Sequence, residues 1–394
     1  MNSHICHIVN HLDAGGAEQY VVQLSNHLHA SGRRVSIIAG EPQVLRERLD
    51  PGVHVETLEL HPGARRSLLN YFANLYRGCK SLVEYFSCEN VTVVHTHLAA
   101  SALPAWIAAK WCGIPIIHSR MYAGNIGSRL ERVLFSTRLP LLLVSRFLVF
   151  TRYSENEVRK QWHVSAEKVV VSSIGVDMPR FFNDTTRGAA SRKELEISRE
   201  DRVLLVVARL HPEKDVELAI RAARTLDDAS TVLLIVGDGQ ERARLEKLVQ
   251  ELPGRTRIRF LGLLKDPRPA FAAADLLLQT SRSPNLGTVV LESMASSLPV
   301  VIAYRNIDEY QMAVDTFEGT DIGVIAEATP KTLAEAVATL CTDEARMKDL
   351  RARVRAFIET RHARHMVYSG LAEVYTGLEK HARIPDRITR DHPG

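Results

Sequence analysis

Cysteine is sparse in this chain, and no long apolar run is present. The five cysteines, Cys6, Cys79, Cys88, Cys112 and Cys341, are an odd number, and none stand as C-x-x-C. That excludes a disulfide framework and a zinc knuckle, and leads to the expectation of a reduced, cytosolic protein. The longest apolar stretch, Leu139–Thr151, is interrupted by Arg146 and is too short to span a bilayer. Residues 1–10 lack a basic segment followed by an apolar core, so no secretory signal is expected. A dominant charge is absent as well. A formal charge of +4 over 394 residues gives no ground for nucleic-acid binding. Arginine and lysine are denser between Arg120 and Lys160. The bland reading of that density is a solvated face; the other is weak peripheral contact with a membrane surface or an acidic ligand. The chain also lacks G-x-S-x-G, G-x-x-x-x-G-K-S/T, H-E-x-x-H and D-x-D, and no repeat of solenoid length is visible.

What is present is the composition of a globular protein, with 45% hydrophobic and 24% charged residues. The length suggests about two domains. Strands are expected at His4–Asn10, Ser36–Ala39, Val53–Leu58, Val91–His95, Ile114–His118, Phe147–Phe150 and Val169–Ser172. Helices are expected from about Ala17 to Ser31, over Tyr71–Glu84, and from about Ala100 to Trp111. This alternation implies an α/β fold, with a parallel sheet covered by helices on both faces. Met178–Asp201 is polar, lacks an apolar period and reads as a linker with room for a short helix. A second alternating series runs from Val203 to about Val324. Amphipathic helices follow at Thr332–Leu340, Glu344–Phe357 and Met366–Leu378, the last with Met366, Leu371, Val374, Tyr375 and Leu378 on one stripe. The polar end, Ile384–Gly394, is expected to be disordered.

Four groups of residues carry chemistry. The first is H-L-D-A-G-G-A-E-Q-Y, His11–Tyr20, where Gly15 and Gly16 stand between a strand and a helix. Glycine permits close approach of a ligand to the backbone, and a helix start favours negative charge. The bland alternative is a tight turn. The second is A-R-L-H-P-E-K, where Arg209 and Lys214 follow a strand end closely enough to face one site. There Arg209 would act as the bidentate partner of a diphosphate and Lys214 as a point charge. The third is P-N-L-G-T-V-V-L-E, Pro284–Glu292. Asn285, Leu286, Gly287 and Thr288 would open a helix whose free amides meet a phosphate, and Glu292, a turn deeper, would accept from ribose hydroxyls. Its apolar neighbours argue against a plain surface pair for Glu292, because a buried carboxylate needs partners. The fourth is His95, His97 and His118, each after an apolar run. His-x-His suggests a metal, but no third ligand is visible in the spacing, so no metal and no cofactor are expected.

With these motifs in this order, the chain resembles the retaining nucleotide-sugar glycosyltransferases of the GT-B fold, family 4. The likeness spans nearly the whole chain: G-G-A-E at 15–18, P-I-I-H at 115–118, I-G-V-D at 174–177 with Arg180 and Phe181, A-R-L-H-P-E-K at 208–214, V-G-D-G at 236–239, F-L-G at 260–262, Ala274-Asp275 and L-E-S-M-A-S-S-L-P-V-V at 291–301. The resemblance implies two facing Rossmann-like domains, 1–180 for the acceptor and 200–365 for the donor, with a helix at 366–380 packing back on the first. It implies that Arg209 and Lys214 neutralise the diphosphate in place of a metal, that Glu292 holds the ribose, that Gly16 lies near the phosphates and that His118 lies near the transferred sugar. The acceptor, a glycan, a lipid-linked glycan or a small molecule, would be held around His11, Asp13 and Tyr122.

This sequence departs from the family pattern at four places. Pro284 stands where the family carries a Glu facing the donor sugar, Ile174 where it carries Asn, and Asp215 and Ser297 where it carries glycine. A proline side chain offers a sugar no hydrogen bond. The donor sugar would then be read by Asn285 or be a modified one. The expectation is a metal-independent retaining transferase using a UDP-sugar, cytoplasmic or peripheral at the inner face of the membrane, acting in cell-surface polysaccharide or glycolipid synthesis. A small natural product such as an aminoglycoside is the second acceptor. The rival functions are a nucleotide-sugar epimerase and a degenerate nucleotide-sugar-binding subunit.

Overall fold

The computed structural model describes residues 3–13, 15–58, 60, 68–97, 99–121, 137–181, 185–282 and 287–380. The chain divides into two units, 1–173 with 365–394, and 174–364.

Unit 1 is built on a seven-stranded parallel sheet in the order β3-β2-β1-β4-β5-β6-β7. Its strands are β1 (His4–His11), β2 (Arg34–Gly40), β3 (His54–Thr57), β4 (Val93–Thr96), β5 (Ile116–Ser119), β6 (Arg146–Val149) and β7 (Val169–Val171). The connecting helices are α1 (Gly16–Ala30), α2 (Leu68–Cys88), α3 (Ala99–Trp111), α4 (Arg138–Leu143) and α5 (Arg152–Gln161). Residues 4–9 of β1 are all buried, which is why the strand shows no alternation of apolar and solvated positions and carries two buried histidines, His4 and His7, among its apolar residues. Cys6, Ile8, Val94 and Phe147 meet Leu82 and Phe86 of α2 and Trp106 of α3 in one core cluster.

Unit 2 begins with α6 (Thr185–Glu194), inside the segment read above as a linker. It is the short helix for which that segment left room, ten residues long. The helix has no apolar stripe to betray it and is tied down by one polar side chain. Arg192 is half-buried and donates to Asp275 Oδ2 at 2.7 Å and to the carbonyls of Ala273 and Asp201 at 3.0 and 2.7 Å. The sheet follows, with β8 (Arg202–Val207), β9 (Thr231–Val236), β10 (Arg257–Gly262), β11 (Leu276–Gln279), β12 (Val300–Tyr304) and β13 (Val324–Glu327), parallel in the order β10-β9-β8-β11-β12-β13. Its helices are α7 (Val216–Leu226), α8 (Arg242–Glu251), α9 (Arg268–Ala273), α10 (Thr288–Ala295), α11 (Ile307–Thr316), α12 (Pro330–Thr342) and α13 (Glu344–Arg361). Asp275 of the Ala-Asp pair is a hub here, accepting also from Val203 N at 2.9 Å and Arg351 Nη2 at 2.8 Å. Where the chain enters and leaves unit 2, Val176 N donates to His362 O at 2.8 Å and Arg364 N to Val176 O at 2.9 Å.

The last helix, α14 (Arg364–Glu379), belongs to unit 1 from His365 onward. Its buried stripe is Tyr368, Leu371, Tyr375 and Leu378. Met366, placed on that stripe from its period, is exposed instead. Arg33 of unit 1 bridges to Glu379 at 3.4 Å, and Thr92 Oγ1 donates to Glu379 Oε1 at 2.8 Å. No helix among the described residues is long and apolar enough to cross a membrane.

Candidate functional site

In each sheet the strand order reverses once. In unit 2 the connection from β8 runs through α7 to β9, and the one from β11 runs through α10 to β12 on the other side. The crevice between two such diverging connections, at the carboxyl ends of the strands, is where open α/β sheets take ligands.

Arg209 and Lys214 lie on the turn that leaves β8. Arg209 is exposed, and its Nη2 donates to Glu213 Oε1 at 3.1 Å. Lys214 is half-buried. Burial lowers its pKa, the nearby Glu213 raises it and the positive Arg209 lowers it, so the two cations act in one field. The exit of β11 is fastened to the same turn. Thr280 Oγ1 donates to Lys214 O at 3.0 Å, and Arg282 N donates to Glu213 O at 2.8 Å. Behind it, V-G-D-G packs backbone on backbone: a Cβ on Gly237 or Gly239 would fall 1.9 or 2.4 Å from the carbonyl oxygens of Ala208 or Leu210. Both glycines have positive φ. Only glycine fits at either position.

Gly287 is the N-cap of α10 and, as a glycine, makes no side-chain cap bond, with Thr288 in the first turn of the helix. The first amides there suit an anion. Glu292, one turn in, is half-buried. Burial raises its pKa to about 7, against the pull of the Arg180 guanidinium. Its carboxylate makes no hydrogen bond among the described residues, so the partners expected for it are not supplied by this chain's described part. Arg180 was seen in the sequence only as part of a motif, and nothing local signals its approach to Glu292. Pro284, Asn285 and Leu286 lie outside the described residues, as does Tyr122.

In unit 1 the order reverses between β1 and β4. Gly15 caps α1, and Gly16 is its exposed first residue. A Cβ on Gly15 would lie 2.0 Å from Glu18 Oε2. The glycine therefore makes room for Glu18, which is buried and whose Oε1 stands 3.5 Å from His11 Nδ1. Asp13 is exposed.

The histidines separate by strand register. His118 pairs with Thr96 across β5 and β4, and its Nδ1 lies 2.9 Å from Thr96 Oγ1 with Trp106 edge-on at 5.0 Å. His95 pairs instead with His7 of β1. His7 Nδ1 lies 2.9 Å from His97 Nε2, while His95 Nδ1 meets Tyr375 OH at 2.6 Å and its Nε2 meets Ser119 Oγ at 2.7 Å. The sequence spacing hid a third histidine that the sheet supplies: one nitrogen each from His7, His95 and His97 lies within 4.8 Å of the others. Four of the six ring nitrogens bond to one another, to Ser119 and to Tyr375, while His7 Nε2 and His97 Nδ1 are buried with no hydrogen-bond partner among the described residues. All four rings are buried, and burial lowers every pKa, to about 3 for His7 and His118. They are neutral at physiological pH.

Two family models match, "Glycosyltransferase Family 4" over residues 14–180 and "Glycosyl transferases group 1" over residues 189–357. A D-inositol 3-phosphate glycosyltransferase of Thermobispora bispora is 26% identical over 95% of this chain and 92% of its own. The sucrose-phosphate synthase of Thermosynechococcus elongatus superposes with a TM-score of 0.79 at 20% identity, covering 96% of this chain and 100% of that one. Anabaena HepE in complex with UDP-glucose gives 0.75 at 18% identity, covering 95% and 99%. The chain is a group 1, family 4 glycosyltransferase.

Its fold is accordingly GT-B, with two Rossmann-like parallel-sheet domains. In this glycosyltransferase the two lost glycines keep the glycine backbone. Asp215 has φ +45° and Ser297 φ +59°, both left-handed. At Asp215 the side chain offsets the strain, because its Oδ2 accepts from Arg305 at 2.7 Å and stands 3.3 Å from Arg282. Arg305 also donates to the Thr280 carbonyl at 2.8 Å, so the aspartate helps to bind the exits of β8 and β11 together.

Proposed function

We propose that this glycosyltransferase moves a sugar from a UDP-sugar to an acceptor hydroxyl with retention of anomeric configuration and without a divalent ion. The observation that carries the reading is the pair Arg209 and Lys214 on one turn, fastened to the β11 exit that leads into the start of α10. Two cations and a set of helix amides neutralise a diphosphate in the way a metal would. The UDP-glucose complex of HepE supports the choice of nucleotide. Glu292 accepts from the ribose hydroxyls in its ionised form.

In the proposed step, the bond from the anomeric carbon to the diphosphate oxygen breaks through an oxocarbenium-like state. The acceptor oxygen bonds to the same face, and its proton passes to the departing phosphate oxygen. Arg209 and Lys214 stabilise the charge that develops there. His118, neutral and buried, borders the sugar as a hydrogen-bonding surface rather than as a cation. Unit 1 offers the acceptor, around His11, Asp13 and the segment containing Tyr122. We take that acceptor to be a cell-surface polysaccharide or glycolipid, met in the cytoplasm at the inner face of the membrane. The D-inositol 3-phosphate named for the relative favours a small acceptor as the second reading.

Thermal-shift titration with UDP-, GDP-, ADP- and TDP-sugars tests the donor. A UDP-sugar is expected to raise Tm most, since a ligand selective for the native state stabilises it. Product analysis by NMR with the responding donor should give the retained anomer, with and without a chelator. Loss of turnover in chelator, or consumption of donor without an acceptor, overturns the reading.

A further inference from the structure

Among the described residues, one group of three or more histidine, cysteine, aspartate or glutamate side chains brings its ligand atoms together: His7, His95 and His97 of unit 1. The donor reading uses none of the three. Strand register builds the group. His7 of β1 is the direct partner of His95 of β4. His97 follows two residues on, at the exit of β4, and side chains two apart on a strand share a face. The three rings therefore lie on one side of the sheet. The His95 and His97 centroids are 3.9 Å apart, and that of His7 is 5.3 and 5.1 Å from them.

A second observation sets this group apart from an ordinary polar layer. All three side chains are fully buried, and His7 Nε2 and His97 Nδ1 have no hydrogen-bond partner among the described residues. Buried polar atoms ordinarily find one. The hydroxyl of Tyr20 is likewise buried without a partner there, and its ring stands edge-on to His97 at 6.0 Å. His95 differs, because its Nδ1 meets Tyr375 OH and its Nε2 meets Ser119 Oγ. It would ligate through one nitrogen and keep the other bond, which is how a ligating imidazole is held in orientation.

The donor set selects the ion. The group contains no carboxylate and no thiol. Cys6, next to His7 in the chain, packs into the core cluster with Leu82 and Trp106, on the opposite face of β1. Three imidazoles suit zinc, with water in the fourth position, and do not suit calcium or magnesium. One nitrogen of each ring already lies within 4.8 Å of the others. Zinc–nitrogen bonds of about 2.0–2.1 Å in tetrahedral geometry set them about 3.3 Å apart, so small ring rotations close the site.

We propose that His7, His95 and His97 bind one structural zinc ion that ties β1 to β4 beneath Tyr20 and Tyr375. The proposal goes beyond the donor reading: sugar transfer uses no divalent ion, and this one acts on the stability of unit 1. Binding is measured without substrate, so its failure leaves the donor reading untouched.

The test starts from the full chain produced in zinc-supplemented and in zinc-depleted medium and purified without chelator. Mass spectrometry of the metal should find about one zinc per chain in the first preparation. That preparation should have the higher Tm, since an ion selective for the native state stabilises it, and the two should share one nucleotide affinity. A third preparation, grown with cobalt, should show the visible bands of a tetrahedral ion without a thiolate charge-transfer band. His7→Gln should lower the bound metal at least tenfold and make Tm indifferent to zinc supply. The cobalt spectrum needs no variant, so it decides the matter even where a histidine substitution prevents folding. A chain that carries no ion in any preparation overturns the proposal. So does metal content unchanged in His7→Gln, or a thiolate band, which would place the ion on a cysteine such as the exposed Cys88.

Discussion

The two places where strand order reverses share a topology and differ in chemistry. In unit 2 the crevice is charged: Arg209 is exposed, Lys214 is half-buried, and the N-cap of α10 is a glycine with no side-chain cap bond of its own. In unit 1 the equivalent place is filled. Glu18 occupies the space over Gly15, and His7, His95 and His97 are packed beneath Tyr20 and Tyr375. The same topological opening thus presents an exposed and a half-buried cation in one half and a buried layer of histidines in the other. Burial makes the difference. A cation left near water keeps its charge, whereas an imidazole withdrawn from it gives up its proton.

The sharpest way to break this comparison is to discharge the first crevice. Each charge-assisted hydrogen bond to phosphate contributes about 1.5–3 kcal/mol, so Arg209→Ala with Lys214→Ala should weaken nucleotide-sugar binding by about 100-fold or more in calorimetry. Unchanged affinity would remove the proposed diphosphate site altogether. A smaller effect separates Glu292 from its cationic neighbours. With a pKa near 7 in the free protein, its carboxylate ionises between pH 6 and 8. If the ionised form binds ribose, donor affinity should rise about tenfold over that range by linkage, and Glu292→Gln should flatten the profile.

The neutral layer of unit 1 has the opposite signature. A histidine with a pKa near 3 when folded and the ordinary 6.5 when unfolded binds its proton only in the unfolded chain between those values. Stability should therefore fall as pH falls below about 6.5. The difference in Tm between pH 7 and pH 5 should shrink in His7→Asn, whatever its absolute Tm. Next in size, Tyr375→Phe removes one hydrogen bond to His95, which should cost about 1 kcal/mol, or roughly 2–4 °C, without altering nucleotide affinity. Smallest of all, Ser297→Gly relieves a left-handed backbone and should raise Tm slightly, by up to about 1 kcal/mol of stability.

Much of the layout of the proposed donor crevice could be read from the chain alone. The apolar runs ending in A-R-L-H-P-E-K and V-G-D-G, and the glycine opening α10, mark strand ends and helix starts by local rules of burial and turn chemistry. What escaped that reading depended on side chains rather than on period. The bounds of helix α6 were left open because Arg192 anchors it through backbone carbonyls rather than through an apolar stripe. Tyr368 and not Met366 anchors the last helix, because the docking surface picks the rotation that a loose stripe leaves open.

The sequence by itself determined two parallel sheets, the cations at a strand end and the glycines that let backbones touch, because each is settled within a few residues by period, sterics and charge. Only the tertiary structure decided that His7 joins His95 and His97, that the charge of Arg180 acts on Glu292, and that Glu18 is buried over Gly15. The first two join residues far apart in the chain, the first through strand register, and the burial of Glu18 and Glu292 is a matter of depth from solvent. Those are properties of packed elements that no local pattern contains.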